Sequence, residues 1–147
     1  MSINEFTDLN QRWRRINALW YKIFIDFSKQ ANLTYTEAMV MHTVSCLPKG
    51  SSKPEISAYM RAEPQSITRA INSLISRELL SRSINNNDKR FAQFEFTSSG
   101  KKFSVQIQYF INQNWKRSLK GIDSDALKKF SNQLDSMIIE LEKIHNK

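Results

Sequence analysis

Large apolar side chains recur at alternating three- and four-residue spacings along the first segment of the chain. These residues are Phe6, Leu9, Trp13, Ile16, Trp20, Ile23 and Phe27. The spacing is typical of a helix that packs lengthwise against a second helix. Two interpretations stay open: an amphipathic helix on the chain's own core, or a dimerisation helix. The length and aromatic content of the stripe favour the dimerisation helix.

The last segment repeats this spacing, after a helix expected from near Gly100 and a break at Gly121. From about Ser124 its apolar positions are Leu127, Phe130, Leu134, Met137, Leu141 and Ile144. The pattern therefore predicts dimerisation surfaces at both ends of the chain. The predicted contact residues are Phe6, Leu9, Trp13, Ile16, Leu134, Met137, Leu141 and Ile144.

Helix-start signals divide the middle of the chain into three shorter helices. Thr34 followed by Glu37, and Ser52 followed by Glu55, have the spacing of a capping box. In that motif a hydroxyl and a carboxylate accept hydrogen bonds from N–H groups that the helix start leaves unpaired. Pro64 stands where a first-turn proline is tolerated. Of these three helices, the second and third are separated by only three residues, which is typical of a helix-turn-helix.

The third of these helices, predicted over residues 64–77, has one apolar and one polar face. The apolar positions are Ile67, Ala70, Ile71, Leu74 and Ile75. The polar positions are Gln65, Ser66, Arg69, Asn72, Ser73 and Ser76. This polar face has no carboxylate, whereas a merely solvated helix usually includes one. A face that approaches phosphates and base edges avoids carboxylates, so the pattern favours DNA binding.

Two strands and a polar turn follow this helix. The sequence LLSRSI at residues 79–84 and the alternating FAQFEF at residues 91–96 predict the strands, and NNNDKR predicts the turn between them. Thr97 is expected to cap the next helix. The predicted fold is mainly α with a small β-wing: a winged helix-turn-helix flanked by N- and C-terminal dimerisation helices.

The overall charge indicates a polyanionic partner without establishing one. The chain has 22 Lys and Arg against 14 Asp and Glu, a net charge of +8. A basic chain also gains solubility from its charge, and here the segment from residue 101 onward is basic too. The missing carboxylates on helix 64–77 are therefore the stronger indication of DNA.

Several classes of protein are disfavoured by composition. The N-terminus is polar, unlike a signal peptide, and no apolar run approaches the length of a membrane span, so we expect a cytoplasmic protein. Glycines at positions 50, 100 and 121 cannot form a Gly-rich phosphate loop. Catalytic and zinc motifs are absent from the sequence, and we predict neither an enzyme nor a cofactor or metal.

Five short segments together resemble the multiple-antibiotic-resistance regulator (MarR) family. They are Leu33-Thr34, Ser66-Ile67-Thr68-Arg69, Leu79-Leu80-Ser81-Arg82, Asp88-Lys89-Arg90 and Thr97-Ser98-Ser99-Gly100. The resemblance covers nearly the whole chain. It implies a single domain over 1–147, with a winged helix-turn-helix at 33–100 and dimerisation helices at 1–32 and 101–147. It further implies a homodimer that binds double-stranded DNA, typically represses genes, and is often released by a small ligand or by oxidation.

The resemblance also implies roles for individual residues. Helix 64–77 would lie in the major groove, and the side chains facing phosphates or base edges would be Gln65, Ser66, Thr68, Arg69 and Asn72. In the wing, Arg90 would enter the minor groove, Asp88 would orient it, and Lys89 would lie beside them. Apart from the resemblance, Lys53 and Arg82 are candidates for phosphate contacts, and the alternative for each is an ordinary surface charge. Glu78 is a departure, because the family usually has glycine there to end the helix.

Two further sites are open to alternative interpretations. Trp20, Tyr21 and Trp115 either line a pocket for a small aromatic effector, as the resemblance suggests, or pack in the core. Cys46 is either a redox sensor or a buried, inert thiol. Oxidation-sensing relatives usually carry their cysteine in the first helix, so we expect the inert thiol. His42, one turn before Cys46, supplies too few partners for a metal site.

The sequence therefore predicts a DNA-binding transcriptional regulator. It would act as a homodimeric repressor on a pseudo-palindromic operator. The alternatives are a winged-helix module for protein interaction and a ligand or redox sensor without strong DNA binding. The polar face of helix 64–77 favours the regulator, since an interaction module has no reason to exclude acids there.

Overall fold

The computed structural model describes residues 2–48, 50–60, 62–84 and 90–146. Its elements are α1 (Ile3–Gln30), α2 (Tyr35–Cys46), β1 (Ser51–Ser52), α3 (Lys53–Met60), α4 (Pro64–Ser76), β2 (Leu80–Ile84), β3 (Ala92–Phe96), α5 (Ser98–Ser118) and α6 (Ser124–His145). The chain forms two compact units, Met1–Gln108 and Tyr109–Lys147. The predicted fold class, mainly helical with a small sheet and a winged helix-turn-helix, is confirmed.

The core of the first unit lies between α2, α3, α4 and the sheet. Its fully buried large side chains include Met41, Ile56, Ile67, Leu74 and Leu80. The apolar face predicted for α4 accounts for much of this core, although Ile75 is only half-buried because it lies at the edge of that face. Burial of these side chains is the main stabilisation of the unit.

The sheet has three antiparallel strands in the order β1-β3-β2, one more than the sequence predicted. In the predicted hairpin, Leu80 pairs with Phe96 and Arg82 with Phe94. The missed strand β1 consists of two serines, and its Ser51 pairs with Phe94 on the other edge of β3. Two residues are too few to show an alternating pattern, so the sequence carried no signal for this strand.

Both predicted capping boxes are confirmed. At the start of α2, the Thr34 N–H donates to Glu37 Oε2 at 2.7 Å, and the Glu37 N–H donates to Thr34 Oγ1 at 3.1 Å. At the start of α3, the Ser52 N–H donates to Glu55 Oε2 at 2.6 Å. Pro64 occupies the first turn of α4, as expected. Hydroxyl and carboxylate together satisfy donors that the first turn leaves without an intrahelical partner.

Helix α4 ends through a left-handed residue even though that residue is not glycine. Glu78 has φ 55°. Its N–H donates to Ile75 O, and the N–H of Leu79 donates to Leu74 O, each at 2.9 Å. This pair of bonds is the Schellman motif, which usually places glycine at that position. Glu78 therefore leaves the helix end intact, at a conformational cost that glycine would avoid.

The chain turns from the wing into α5 at a tight junction. Thr97 Oγ1 donates to Glu78 O at 2.6 Å and accepts from the Gly100 N–H at 3.0 Å, which confirms Thr97 as the cap. Helix α5 begins at Ser98, two residues before the expected start. A Cβ on Gly100 would stand 1.9 Å from Leu79 O, so only glycine fits against the backbone here.

In the second unit, α6 starts at the predicted residue. Asp123 caps it by accepting from the Ala126 N–H at 2.8 Å. None of the α6 side chains is buried, including the predicted contact residues. Across the described ranges, no helix combines the length and apolar character that crossing a membrane requires.

Candidate nucleic-acid interface

Helix α4 turns a polar, acid-free face outward. Gln65, Arg69 and Asn72 are exposed, while Ser66 and Thr68 are half-buried at its sides. All of these side chains are donors or acceptors that can meet phosphates or base edges. The buried apolar stripe fixes the opposite face of the helix against the core, so the polar face cannot turn inward.

Lys53 is held against one side of this face. Its Nζ donates to Thr68 Oγ1 at 3.2 Å, and the Thr68 hydroxyl donates in turn to Pro64 O at 2.8 Å. Lys53 is the first residue of α3, so the contact joins the two helices of the helix-turn-helix. An ammonium group has three donors, which leaves two for an anion at this position.

A groove of about 350 Å³ lies between α3, α4 and the wing. It brings together five predicted site residues: Lys53, Thr68, Asn72, Arg82 and Arg90. The pairing of β2 with β3 places Arg82 opposite Phe94, and Arg90 precedes β3. The described residues that line the groove include three cations and no acid, an arrangement that attracts an anionic partner.

The apolar part of this groove could not be predicted from the sequence. Pro54, Ile71, Phe91 and Ala92 complete its walls with Phe94. These side chains come from α3, α4 and the wing, and their proximity depends on tertiary packing. The predicted wing residues Asp88 and Lys89 lie outside the described residues.

Ser73 does not belong to the outward polar face, contrary to the prediction. Its hydroxyl donates to Glu37 Oε1 on α2, and Arg77 Nη1 lies 3.5 Å from Glu37 Oε2. Ser73 lies at the edge between the two faces of α4, and packing against α2 turns it inward. Burial by itself raises the pKa of Glu37, but hydrogen bonds from Ser73 and Thr34 and the charge of Arg77 outweigh it, and the pKa lies below its usual value.

The predicted dimerisation residues are largely exposed in the single chain. On α1, the exposed fractions of Phe6, Leu9, Trp13 and Ile16 lie between 43% and 56%. On α6, Met137, Leu141 and Ile144 are exposed, and Leu134 is half-buried. Ile3 and Leu19 extend the exposed apolar surface of α1, although both fall outside the predicted spacing. An apolar surface of this extent is typical of an interface with another protein.

Aromatic residues of α1 form a cluster with the start of α2. The ring of Tyr21 lies 4.8 Å from that of Tyr35, which in turn lies 5.8 Å from Phe24. Burial and the nearby Tyr21 raise the pKa of Tyr35. Trp20 is half-buried, and Trp115, in the second unit, is partly exposed. The effector pocket at Trp20, Tyr21 and Trp115 stays a prediction.

The expectation of a buried Cys46 is wrong, because this thiol is exposed. Cys46 follows the buried Val44 by two residues, about 200° round the helix, and so lies on the opposite side of α2. Its Sγ lies 3.8 Å from His42 Nε2. Burial lowers the pKa of His42, and a hydrogen bond with Cys46 raises the pKa of Tyr59.

The fold and the basic groove define a winged helix-turn-helix protein. Residues 33–91 match the model of the MarR family. The match to the MarR family thus covers the winged helix-turn-helix part of the chain, and the likeness to solved structures extends the shared fold beyond the matched residues.

Three solved structures illustrate that likeness. A MarR-family transcriptional regulator from Rhodococcus sp. RHA1 is 15% identical, with a TM-score of 0.74 over 93% of this chain and 95% of that chain. CouR from Rhodococcus jostii RHA1, bound to p-coumaroyl-CoA, is 17% identical, with a TM-score of 0.76 over 88% and 91%. A cysteine-to-serine mutant of MarR from E. coli, complexed with operator DNA, is 18% identical, with a TM-score of 0.71 over 93% and 99%.

Proposed function

We propose that this chain is a MarR-family transcription regulator, a repressor that binds a pseudo-palindromic DNA operator as a homodimer and is released by a small ligand. The observation that carries the proposal is the outward face of α4 beside a groove whose cations are Lys53, Arg82 and Arg90. Among the described residues, neither the outward face of α4 nor the lining of this groove has a carboxylate. A face that approaches phosphates avoids carboxylates, whereas a merely solvated helix usually includes one.

Helix α4 would enter the major groove of the operator. Arg69 and Asn72 are the exposed side chains best suited to base edges, since guanidinium pairs with guanine and amide with adenine. Gln65, Ser66 and Thr68 would contact phosphates or bases nearer the start of the helix. Arg90 would enter the adjacent minor groove, where negative potential is concentrated when the groove is narrow.

Lys53 and Arg82, which line the same groove beside α4, would bind phosphates. Lys53 is already oriented by Thr68, so less side-chain freedom is lost when DNA binds. Such contacts add affinity without selecting a sequence. They also predict that binding weakens steeply with salt, because each neutralised phosphate releases a counterion.

Two copies of the chain would bury the exposed apolar residues of α1 and α6. Trp13 and Ile16 on α1, and Met137 and Leu141 on α6, would otherwise remain in contact with water. A dimer would present two copies of α4, and a two-fold protein reads a two-fold DNA site. Half-sites about 34 Å apart, one turn of the double helix, are therefore expected.

An effector would act on the same dimer. CouR, which has the same fold, was solved with p-coumaroyl-CoA, an aromatic acyl compound. A compound of that kind would find aromatic partners in Trp20 and Tyr21 of α1. For release, the ligand must bind the DNA-free conformation more tightly than the DNA-bound one.

Selection from sheared genomic DNA tests the proposal directly. The protein is expected to enrich fragments that share a pseudo-palindrome, and its affinity for a selected duplex should exceed that for a scrambled duplex of equal composition by at least about a thousandfold. A salt series on both duplexes gives the number of phosphates contacted. Equal affinity for the two duplexes would contradict the proposal of a sequence-specific regulator and favour a winged-helix module for protein interaction.

A further inference from the structure

Three helices of this chain start with the same capping box, but one of the three carboxylates has a different environment. Glu5 and Glu55 pair with the serine three residues earlier. Glu37 pairs with Thr34 in the same way, yet it is 6% exposed and also contacts Ser73. Within the described ranges, neither Glu5 nor Glu55 forms a hydrogen bond or an ion pair with a second helix. Helix capping therefore explains a carboxylate at position 37 without explaining its burial.

Burying a carboxylate is costly unless hydrogen bonds and an opposite charge compensate it. Part of the compensation comes from the Thr34 N–H in the capping box, and the rest comes from α4. Ser73 donates its hydroxyl hydrogen to one oxygen of Glu37, and Arg77 Nη1 lies 3.5 Å from the other. Ser73 and Arg77 are four residues apart and therefore lie one above the other on the same side of α4. One carboxylate thus contacts two successive turns of this helix.

This contact has a counterpart on the other side of α4. Thr68 accepts from Lys53 Nζ, and Thr68 and Ser73 are about 140° apart around the helix axis at 100° per residue. The outward residues Arg69 and Asn72 lie between them. Lys53 and Glu37 therefore contact opposite edges of the outward face, and together they restrict rotation of α4 about its own axis.

We infer that Glu37 is a positioning residue for operator recognition, which fixes the rotation of α4 through Ser73 and Arg77 and so directs Arg69 and Asn72 at the base edges. The inference rests on the proposed function. Bidentate pairing of side chains with bases tolerates little displacement, whereas phosphate contacts tolerate more. Loss of the Glu37 contact should therefore reduce discrimination between DNA sequences more than it reduces binding to DNA in general.

Glu37→Gln is the variant that isolates this role. Glutamine also completes a capping box, so the start of α2 keeps its hydrogen bonds, while the charge that pairs with Arg77 is lost. Glu55→Gln is the matched control, because it makes the same chemical change in a capping box that forms no hydrogen bond or ion pair with a second helix among the described residues. Both variants raise the net charge equally, so a general electrostatic effect on DNA binding cancels.

Binding is measured by fluorescence anisotropy on a duplex selected by the wild-type protein and on a scrambled duplex. Glu37→Gln is expected to lose about tenfold in affinity for the selected duplex, the equivalent of one base contact, with less than about twofold change on the scrambled one. Glu55→Gln should change neither. Equal losses on both duplexes, or no loss, would overturn the inference. If the wild-type protein itself binds the two duplexes equally, the proposed function is wrong, whatever the effect of Glu37→Gln.

Ser73→Ala and Arg77→Gln provide the second test if Glu37→Gln fails to fold. Each leaves the capping box of α2 unchanged. Both should reduce affinity for the selected duplex selectively. Where Glu37→Gln does fold, its combination with either change should cost less than the sum of the single changes. If Arg77→Gln weakens binding to both duplexes alike and lowers the salt slope by about one, Arg77 contacts a phosphate instead and the inference is wrong for it.

Discussion

Helices α1 and α4 are both amphipathic, but they expose opposite faces to solvent. Helix α4 buries the apolar residues Ile67, Ala70, Ile71 and Leu74 and exposes its polar side. Helix α1 buries only Phe24 and Ser28 among its 28 residues and exposes a long apolar stripe. Within one chain, α4 thus removes most of its apolar side chains from water, whereas α1 leaves most of its own exposed.

The difference indicates the chemistry of the partner that each helix requires. The exposed face of α4 consists of hydrogen-bonding groups and a cation, which suit a polyanion. The exposed face of α1 consists of aliphatic and aromatic side chains, which suit another apolar protein surface. Because the two partners differ, changes on the two helices should have separable effects: on assembly for α1, and on DNA affinity alone for α4.

The largest effect is expected from a charge on the apolar face of α1. Trp13→Asp should prevent dimer formation and lower operator affinity by about a hundredfold or more, because two linked half-sites bind far more tightly than one. Sedimentation gives the oligomeric state and a gel shift gives the affinity. Gln11→Asp adds the same charge about 200° round the helix and should leave both unchanged. A dimeric Trp13→Asp protein would contradict the assignment of this face.

An intermediate effect is expected on α4. Arg69→Ala should lower affinity for the selected operator by about 1–3 kcal/mol and relax the base preference at one position in each half-site. The dimer should persist, since Arg69 lies on the polar face. Anisotropy titrations on single-base variants of the operator measure both the loss and the relaxed preference. Arg12→Ala removes an exposed arginine of α1 instead, and an equal loss there would point to general electrostatics.

How much of this comparison was predictable depends on how local each feature is. The capping boxes at Thr34 and Ser52 are spaced within one helical turn, and the apolar stripe of α4 repeats with the helical period. Such signals are present in a single stretch of sequence, so they were predicted correctly.

Contacts between distant segments were not predictable in this way. Ser73 lies 36 residues beyond Glu37, and the helical period alone places it at the edge of the polar face, where it can turn either way. The exposure of Cys46 depends on which side of α2 packs against the core. Strand β1 forms because Ser51 and Ser52 pass the free edge of β3, which no property of two serines indicates.

A smaller effect is expected in the wing. Arg90→Ala should lower operator affinity by about 1 kcal/mol and reduce the preference for A·T pairs beside each half-site, since a narrow A·T-rich minor groove attracts guanidinium most strongly. Affinities for operators with A·T-rich and G·C-rich flanks provide the measurement. If Arg90→Ala lowers the affinity for both operators equally, Arg90 contacts the backbone and does not read groove width.

The smallest effect concerns the ends of the two helices. Both α1 and α4 end in a residue at φ 55°, Asn32 and Glu78 respectively. Asparagine tolerates this conformation, whereas glutamate pays about 1–2 kcal/mol for it. Glycine relieves that strain but gains freedom in the unfolded chain, so Glu78→Gly should raise the free energy of unfolding by only about 0.5–1 kcal/mol.

Urea unfolding at one protomer concentration measures this difference. Asn32→Gly is the matched control at the end of α1 and should give no gain. Glu78→Gln keeps the Cβ while removing the charge, so any stabilisation it shares with Glu78→Gly is electrostatic and not conformational. If Asn32→Gly and Glu78→Gly have the same effect, the end of α4 carries no more strain than the end of α1, and the two helices differ only in the faces they expose.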